Sequence, residues 1–221
     1  MQCGHTAVVA GCCDQGGYES VFGEREARRA IRSFEKKGLD STAGPMVVAL
    51  HAGGLGGVEV LEAGTGSGTA LVSLLEAGAS HAVGYDISPG YQAAAAALLE
   101  SRGLEGRADL VVGDFVTATP PEAEVVFLNR VVCCYPDMEG LVDAAADATG
   151  GRLAMSFPRR NLFTRVALGV INAFMRLRRS TFRVYVHPPA AIRARAASAG
   201  LVPAAGGSTR MWEWQLWERT A

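Results

Sequence analysis

Short apolar runs alternate along the middle of the chain with segments whose apolar residues recur every three or four positions. The short runs predict strands and the longer segments predict helices, because side chains repeat every two residues in a strand and about every 3.6 in a helix. The alternation predicts an α/β fold with a mostly parallel sheet and helices on both faces. The predicted order is strand 58–62, helix 67–77, strand 81–86, helix 89–102, strand 108–113, strand 124–129, helix 138–149 and strand 151–157.

The two ends of the chain extend this pattern. Residues 1–17 have no sustained period and predict a loop, and residues 19–37 predict a helix with a glycine stop at Gly38. A second helix is expected after Asp40 or Ser41. At the other end we expect a helix over 190–199 and strands near 201–206 and 210–219, where Trp212, Trp214 and Leu216 share one face.

Three alternating glycines follow the first predicted strand, at Gly64, Gly66 and Gly68. Glycine lacks a Cβ, so such a loop turns sharply and approaches a ligand closely, although a plain turn is the alternative interpretation. Asp86 ends the second strand about 20 residues further on, where a βαβ unit presents a carboxylate to a ribose diol. The combination predicts a nucleotide-like ligand.

The acid at the end of the first strand narrows the ligand class. A Gly-x-Gly-x-x-Gly loop binds a pyrophosphate, but here Glu62 precedes three glycines at every second position. A carboxylate there repels a pyrophosphate and tolerates a sulfonium, as in S-adenosylmethionine. Asp114 and Phe115 end the third strand, where they are suited to accept from an adenine amino group and to lie against the ring. The alternative is that Asp114 caps a turn and Phe115 is core.

The chain resembles class I S-adenosylmethionine-dependent methyltransferases in residues 62–68, Asp86 and residues 113–115, and the order of elements extends the likeness from about residue 45 to the end. The resemblance implies a Rossmann-like seven-stranded, mostly parallel sheet in the order 3-2-1-4-5-7-6, with the last strand antiparallel. It also implies a methyltransferase domain over 45–221 and a helical lid within residues 1–44. The cofactor-binding residues it implies are Glu62, Gly64, Thr65, Gly66, Gly68, Asp86, Ile87, Asp114, Phe115 and Asn129.

The segment after the fourth strand is expected to face the methyl acceptor. Methyl transfer is an in-line displacement, so the enzyme aligns the nucleophile and in some cases removes a proton. The candidates for contacting the acceptor are Cys133, Cys134, Tyr135 and Asn129, with His187 as a candidate base. The alternative is structural: Tyr135 and Pro136 shape a turn, the cysteines fill space, and His187 is a turn residue before two prolines.

A closer resemblance rests on the Tyr135-Pro136 pair, the arginine-rich helix after residues 156–158, and residues 186–189. These features are similar to magnesium protoporphyrin IX O-methyltransferases, which methylate a propionate carboxylate of a large, flat tetrapyrrole. The resemblance implies O-methylation of a porphyrin-type carboxylate. Cys134 departs from this family, which has a histidine before its Tyr-Pro pair, although a carboxylate acceptor needs little deprotonation at neutral pH.

Residues 159–179 combine an apolar stripe with six arginines. A basic amphipathic helix of this kind contacts an anionic membrane surface or covers an apolar substrate. The alternative is a helix that packs on the sheet and holds its arginines in solvent.

Composition limits the remaining classes. The 221 residues suit a single globular domain with 49% hydrophobic and 19% charged residues, and a net charge of −1 disfavours a nucleic acid partner. No signal peptide or apolar run of about 18 residues is apparent, so a cytoplasmic protein is expected. A noncatalytic cofactor-binding protein and an NAD-dependent oxidoreductase are the alternatives to a methyltransferase. The oligomeric state is left open.

The cysteines do not predict a disulfide framework, because their number is odd and four of them form two adjacent pairs. No metal site is predicted, since vicinal cysteines rarely serve one tetrahedral ion together. Reduced, buried thiols are the expectation, and a site that joins the two pairs is the minor alternative. The five are Cys3, Cys12, Cys13, Cys133 and Cys134.

Overall fold

The computed structural model describes residue 18 and residues 21–220, so the predicted lead-in over 1–17, with Cys3, Cys12 and Cys13, lies outside the described residues. Helices and strands alternate through most of the chain. In order they are α1 (Glu24–Lys37), α2 (Ala43–Ala52), β1 (Glu59–Ala63), α3 (Thr69–Glu76), β2 (His81–Asp86), α4 (Pro89–Ser101), β3 (Ala108–Val112), β4 (Ala123–Leu128), α5 (Met138–Asp147), β5 (Thr149–Pro158), α6 (Leu162–Leu177), α7 (Pro189–Ser198), β6 (Leu201–Ser208) and β7 (Trp212–Arg219).

The seven strands form one sheet in the order β3-β2-β1-β4-β5-β7-β6. Strands β1 to β5 pair in parallel, and β7 runs antiparallel to both β5 and β6. The predicted fold class and strand order are therefore confirmed. The order reverses between β1 and β4, and in open α/β sheets such a switch point opens a crevice at the carboxyl ends of the strands.

The sheet is covered on both faces, which explains why its central strands are continuous apolar runs. Leu61, Leu128 and Leu153 pack on one face against Leu141 of α5 and Ile192 of α7. On the other face, neighbouring strand residues pack against α2, α3 and α4 in a second cluster. The members of both clusters are buried, so packing on both faces supports the central strands and the loops at their ends.

Several predicted boundaries shift, and the largest shift is in α1, which begins at Glu24 rather than at residue 19. Two other shifts have local reasons. The third helix begins at Thr69 rather than at residue 67, because Gly68 has φ +77° and stands as the left-handed residue before the helix. The fifth strand begins at Thr149 rather than at residue 151, because Thr149 already pairs with Ala123. The preceding helix therefore ends at Asp147.

Helix α6 lies outside these two clusters for most of its length. Only Thr164 and Leu168 are buried among its 16 residues, so the predicted apolar stripe does not pack on the sheet. Asn161 caps the helix by accepting from the Thr164 amide at 2.8 Å. Within the described part of the chain, no helix combines the length and the apolar character needed to cross a membrane.

Candidate functional site

A cavity of about 200 Å³ opens at the carboxyl ends of β1, β2, β3 and β4. This is the edge at which an α/β sheet binds its ligands, because the loops after parallel strands converge there. Apolar and aromatic side chains form most of its wall. The lining residues are Tyr18, Phe22, Ala63, Gly64, Gly66, Tyr85, Asp86, Ile87, Tyr91, Gly113, Asp114, Phe115, Asn129, Arg130, Val131, Cys134, Tyr135 and Leu141.

The glycine loop forms the floor of the cavity between β1 and α3. Gly64 has φ +71°, and a Cβ there would lie 2.3 Å from Val131 Cγ2. Gly66 has φ +54°, yet a Cβ there would meet no atom within 4 Å. Because Gly66 lines the cavity and faces open space, it is the position at which a ligand can approach the backbone most closely.

Asp86 links the glycine loop to the end of β2. One of its carboxylate oxygens accepts from the Gly66 amide at 2.8 Å, and the other accepts from the Ser88 amide at 2.9 Å. The side chain is buried at the cavity wall. These bonds hold the carboxylate in one orientation at the cavity wall.

Three of the predicted cofactor-binding residues lie behind the cavity wall. Thr65 is buried against the Tyr85 carbonyl, and Gly68 packs on α4, where a Cβ would lie 2.9 Å from that of Ala95. Glu62 is only 2% exposed, and its carboxyl accepts a hydrogen bond from the Leu71 amide of α3. Its Oε2 atom has no partner among the described residues. Contact of these three side chains with a cofactor stays a prediction.

The Glu62 carboxyl carries a strongly shifted pKa. Burial raises its pKa well above the usual value, and the nearby charge of Asp86 raises it further, while the Leu71 amide opposes both effects. A cation that approaches such a carboxyl lowers its pKa again and favours the ionised form. The region behind the glycine loop is therefore prepared for a positively charged ligand group.

Asp114 and Phe115 flank the cavity on the side of β3. Tyr135 donates its hydroxyl to the Asp114 carboxylate, with distances of 3.0 and 3.1 Å to the two oxygens. Phe115 is buried and packs edge-on against Tyr85 at a centroid distance of 5.7 Å. Asp114 also accepts a hydrogen bond from the Val116 amide in a turn, and Phe115 also joins the core. The structural interpretation of these two residues therefore applies as well, although both line the cavity.

Asn129 and Arg130 follow β4 and connect it to the segment between α1 and α2. Asn129 donates to Asp40 at 2.8 Å and accepts from the Ser156 hydroxyl at 2.7 Å. Arg130 lies 3.1 Å from the Asp40 carboxylate and 3.3 Å from the Thr42 hydroxyl. Burial favours the neutral acid, but the Thr42 hydrogen bonds and the Arg130 charge outweigh it and lower the pKa of Asp40.

Arg130 is a site residue that the sequence analysis did not single out. Its backbone has φ +60°, which is uncommon for a residue other than glycine, and its amide donates to Ser156. The guanidinium lies over the Trp212 ring at 4.8 Å and lines the cavity. The signals that would have identified it are a left-handed backbone and partners 26 to 90 positions away, and a local pattern shows neither.

The two neighbouring thiols, Cys133 and Cys134, follow Arg130 in the loop after β4. Cys133 is buried and Cys134 lines the cavity, with their sulfur atoms 3.6 Å apart. The Cys133 thiol lowers the pKa of Cys134 against the effect of burial, and a hydrogen bond with the Tyr18 hydroxyl adds to the lowering. Among the described residues, no group of three metal-binding side chains comes together.

Tyr135 lines the cavity, whereas His187 does not. The His187 ring donates to the Tyr135 carbonyl at 2.9 Å and stacks on Tyr185, so it supports the loop from behind. Burial lowers the pKa of His187, which is therefore neutral at pH 7. The catalytic role assigned to His187 stays a prediction, and its position resembles the turn residue of the alternative interpretation.

An aromatic cluster covers the mouth of the cavity. Tyr18, Phe22 and Phe182 contact one another with centroid distances of 5.0 to 5.2 Å, and Tyr91 lies 5.9 Å from Phe22. Burial, with Asp86 nearby, raises the pKa of Tyr91 to about 12, so its hydroxyl stays protonated. Tyr91 and Phe182 are further residues that the sequence analysis missed, because isolated aromatic residues at helical or loop positions carry no local signal.

Comparison with known proteins agrees with this geometry. Residues 60–149 match the family described as a methyltransferase domain. Magnesium protoporphyrin IX methyltransferase from Synechocystis PCC 6803, in its structure with bound SAH, is similar with a TM-score of 0.74 at 22% identity, over 94% of this chain and 100% of that one. An O-methyltransferase family 2 protein from Planctomyces limnophilus, in complex with apigenin, is similar with a TM-score of 0.66 at 20% identity, over 89% and 62% of the respective chains. A search of curated proteins finds no significant match.

The domain match over residues 60–149 and the fold agree with a class I S-adenosylmethionine-dependent methyltransferase. The residues present fit this cofactor. Open space faces the cavity at Gly66 and at Gly113, and the unpartnered Oε2 atom of Glu62 lies below the glycine loop. The cavity at the switch point of the sheet is therefore the candidate active site.

Proposed function

We propose that the protein transfers a methyl group from S-adenosylmethionine to an oxygen of a small molecule, and that a carboxylate on a large apolar acceptor of the porphyrin type is methylated. The observation that carries this proposal is Arg130, a cationic side chain in an otherwise mainly apolar and aromatic cavity wall. Arg130 meets Thr42 through Nε and Asp40 through Nη2, and a guanidinium has five N–H donors, so its remaining donors can bind an acceptor carboxylate. The similarity in fold to magnesium protoporphyrin IX methyltransferase supports the acceptor class.

The cofactor side of the cavity is assigned to four groups. Gly64 and Gly66 would contact the methionine part of the cofactor, and the Glu62 carboxyl below them would balance the positive charge of that part. Asp86, held by two amides, receives the ribose hydroxyls. Ile87 and Phe115 would hold the adenine base, with Asp114 as acceptor for its amino group. A nucleoside would then contact the loops after β1, β2 and β3.

The acceptor side lies between the cofactor groups and the aromatic cluster. When bound, S-adenosylmethionine supplies an electrophilic methyl group on a sulfonium sulfur. A carboxylate is already ionised at neutral pH, so alignment is the main task of the protein. Arg130 orients the carboxylate, while Tyr135, fixed by Asp114, and Cys134 border the reacting oxygen. This assignment explains how the chain functions without a histidine before Tyr135.

The N-terminal segment is assigned a covering role. Tyr18 and Phe22 line the cavity and contact Phe182 from the segment after α6. The Phe22 carbonyl accepts from Ser88 at 2.9 Å, which ties this cover to the β2–α4 loop beside Asp86. We assign residues 1–44 as an N-terminal lead-in and helical lid, with Tyr18 and Phe22 beside an apolar acceptor, and residues 45–221 as the methyltransferase domain.

A transfer assay tests the acceptor class. The protein is incubated with methyl-labelled S-adenosylmethionine and porphyrin carboxylates, phenols or fatty acids, and the products are treated with alkali. A methyl ester releases its label as methanol, whereas a phenol ether or an N-methyl product retains it. We expect alkali-labile label on a porphyrin carboxylate. Label that appears only in alkali-stable products contradicts the proposal.

The Arg130→Gln variant tests the role of the cation. Loss of a charge-assisted hydrogen bond is expected to lower kcat/KM for carboxylate acceptors by at least about 10-fold, mainly through KM. Arg102→Gln is the matched control, because Arg102 also pairs with an acid, Glu76, and lies over an aromatic ring but is far from the cavity. Equal activity of the two variants with carboxylate acceptors would refute the role of Arg130.

A further inference from the structure

Helix α6 exposes its apolar side to solvent. Its buried positions, Thr164 and Leu168, are four residues apart and define the side that faces the protein. The opposite side carries a continuous row of exposed apolar side chains, with Leu162 at 77% and Leu177 at 82% exposure. The exposed row consists of Leu162, Phe163, Val166, Val170, Phe174 and Leu177, with Ile171 at its edge. A patch of this kind on a globular protein marks an interaction surface.

The same region is strongly basic. Residues 159–187 contain seven arginines and no aspartate or glutamate, in a chain whose net charge is −1. Among the described residues, none of these arginines forms a salt bridge. Arg178 lies over the Phe174 ring, and Arg210 lies over the Phe163 ring, so cations border the apolar row at both ends. The seven are Arg159, Arg160, Arg165, Arg176, Arg178, Arg179 and Arg183.

We propose that α6 and its flanking arginines form a docking surface for an anionic lipid bilayer. A helix of 16 residues is about 24 Å long and suits an orientation in the plane of the membrane. Its apolar row enters the acyl boundary, and the arginines extend to the anionic headgroups. Charge complementarity selects this occupant over a second copy of the chain, because seven arginines on each copy would repel one another.

The docking surface is connected to the cavity. Asn172 of α6 exchanges two hydrogen bonds with Val184, at 2.8 and 2.9 Å, and so holds the segment that follows the helix. Phe182 in this segment contacts Tyr18 and Phe22 at the cavity mouth. A docked helix therefore brings the cavity mouth close to the lipid, so that an apolar acceptor dissolved in the membrane reaches it directly. This last consequence rests on the proposed function, whereas the docking itself does not.

Vesicle flotation tests the docking. The full chain is mixed with vesicles of phosphatidylcholine alone or of phosphatidylcholine with phosphatidylglycerol, at low and at high salt. We expect the protein to float with the anionic vesicles at low salt, to be released at high salt, and to bind zwitterionic vesicles weakly. Equal binding to both vesicle types, or binding to neither, would overturn the proposal. Self-association without vesicle binding would assign the surface to a second copy instead.

Two sets of variants test the arginine charges and the apolar row of the docking surface separately. Arg176→Gln/Arg178→Gln/Arg179→Gln is expected to weaken anionic vesicle binding about 100-fold, at about five-fold for each charge. Val166→Asp/Val170→Asp is expected to abolish binding, since both side chains are exposed and leave the core intact.

Matched controls carry the same changes elsewhere. Arg25→Gln/Arg32→Gln/Lys36→Gln removes three charges from α1, and Val48→Asp changes an exposed valine of α2. Thermal melts check the folding of every variant independently of methyl transfer. Control variants that lose binding as much as the α6 variants would overturn the assignment to this helix.

Discussion

Glu62 is an acidic side chain that the fold encloses at the end of β1, with one carboxyl oxygen unpartnered. Its raised pKa determines how stability depends on pH. The folded protein binds a proton at Glu62 that the unfolded chain has released above the ordinary glutamate pKa. The free energy of unfolding therefore falls as pH rises from the unfolded pKa toward the raised folded pKa. Without a cofactor, Glu62 makes the protein less stable at neutral pH.

The Glu62→Gln variant tests this account. Glutamine keeps the shape and removes the ionisable proton, so we expect it to stabilise the cofactor-free protein by about 1–3 kcal/mol at pH 7. The gain should vanish below the unfolded glutamate pKa, where both proteins are uncharged at this position. Thermal melts from pH 4 to pH 8 measure it, with Glu59→Gln as the exposed control on the same strand. The measured quantity is the difference in stability between Glu62→Gln and wild type. The account is contradicted if this difference favours the variant less at pH 7 than at pH 4.

At the scale of single residues, the sequence identified acids better than it identified their partners. Asp86 and Asp114 were predicted as ligand acceptors from their places at strand ends, and both line the cavity. Arg130 and Tyr91 were not predicted, because their positions depend on contacts distant in sequence and on a backbone angle. A local sequence pattern shows which strand ends in an acidic residue. It does not show which residue, distant in sequence, lies opposite that acid in the fold.

The β1–α3 turn is the element on which the cofactor assignment rests, and its three glycines serve different purposes. Gly64 lacks room for a Cβ because of Val131, and Gly68 lacks room because of Ala95. Of the three, only Gly66 faces open space in the cavity. The sequence motif treats the three as equivalent, whereas in the structure packing requires two of them and the third borders the cavity.

Alanine substitutions distinguish these purposes. Gly64→Ala is expected to destabilise the protein by about 2–4 kcal/mol through its left-handed backbone and its clash with Val131, and Val131→Ala should restore part of the loss. Gly66→Ala is expected to cost about 1–2 kcal/mol of stability, but to weaken S-adenosylhomocysteine binding at least about 10-fold. Chemical denaturation and calorimetry measure the two effects.

Gly103→Ala is the matched control for Gly66→Ala. Gly103 also has positive φ, at +63°, and also has no atom within 4 Å of a built Cβ, but it lies away from the cavity. It should lose similar stability and keep its affinity for S-adenosylhomocysteine. If both variants bind this ligand as tightly as wild type does, the cofactor does not approach Gly66.

The strands and helices were predictable because the apolar residues of each element recur with its own period or form one short run. All five strands predicted between residues 58 and 157 are confirmed within about two residues. Helix α6 was predicted to exist, but its orientation could not be predicted from its sequence. The spacing of apolar residues shows which side of the helix is apolar, but not whether that side faces the protein or the solvent. The burial of Thr164 and Leu168 shows that the apolar side of α6 faces outward.

The whole molecule brings the acids of separate strands to one cavity through its strand order. Because β1 lies beside both β2 and β4, the loops that contain Gly66, Asp86 and Arg130 meet at the switch point. Periodicity predicted a parallel sheet but no order, which came only from the resemblance to a known family. Strand order is a property of long-range pairing, which local patterns do not encode.

Calorimetric titration of the full chain with S-adenosylhomocysteine and with NAD tests the central claim most directly. We predict 1:1 binding of S-adenosylhomocysteine and no binding of NAD. The Asp86→Ala variant should bind the former more weakly by about 1–3 kcal/mol, because it loses the acceptor for the ribose hydroxyls. Binding of NAD without S-adenosylhomocysteine, or an unchanged affinity of Asp86→Ala, would contradict the account.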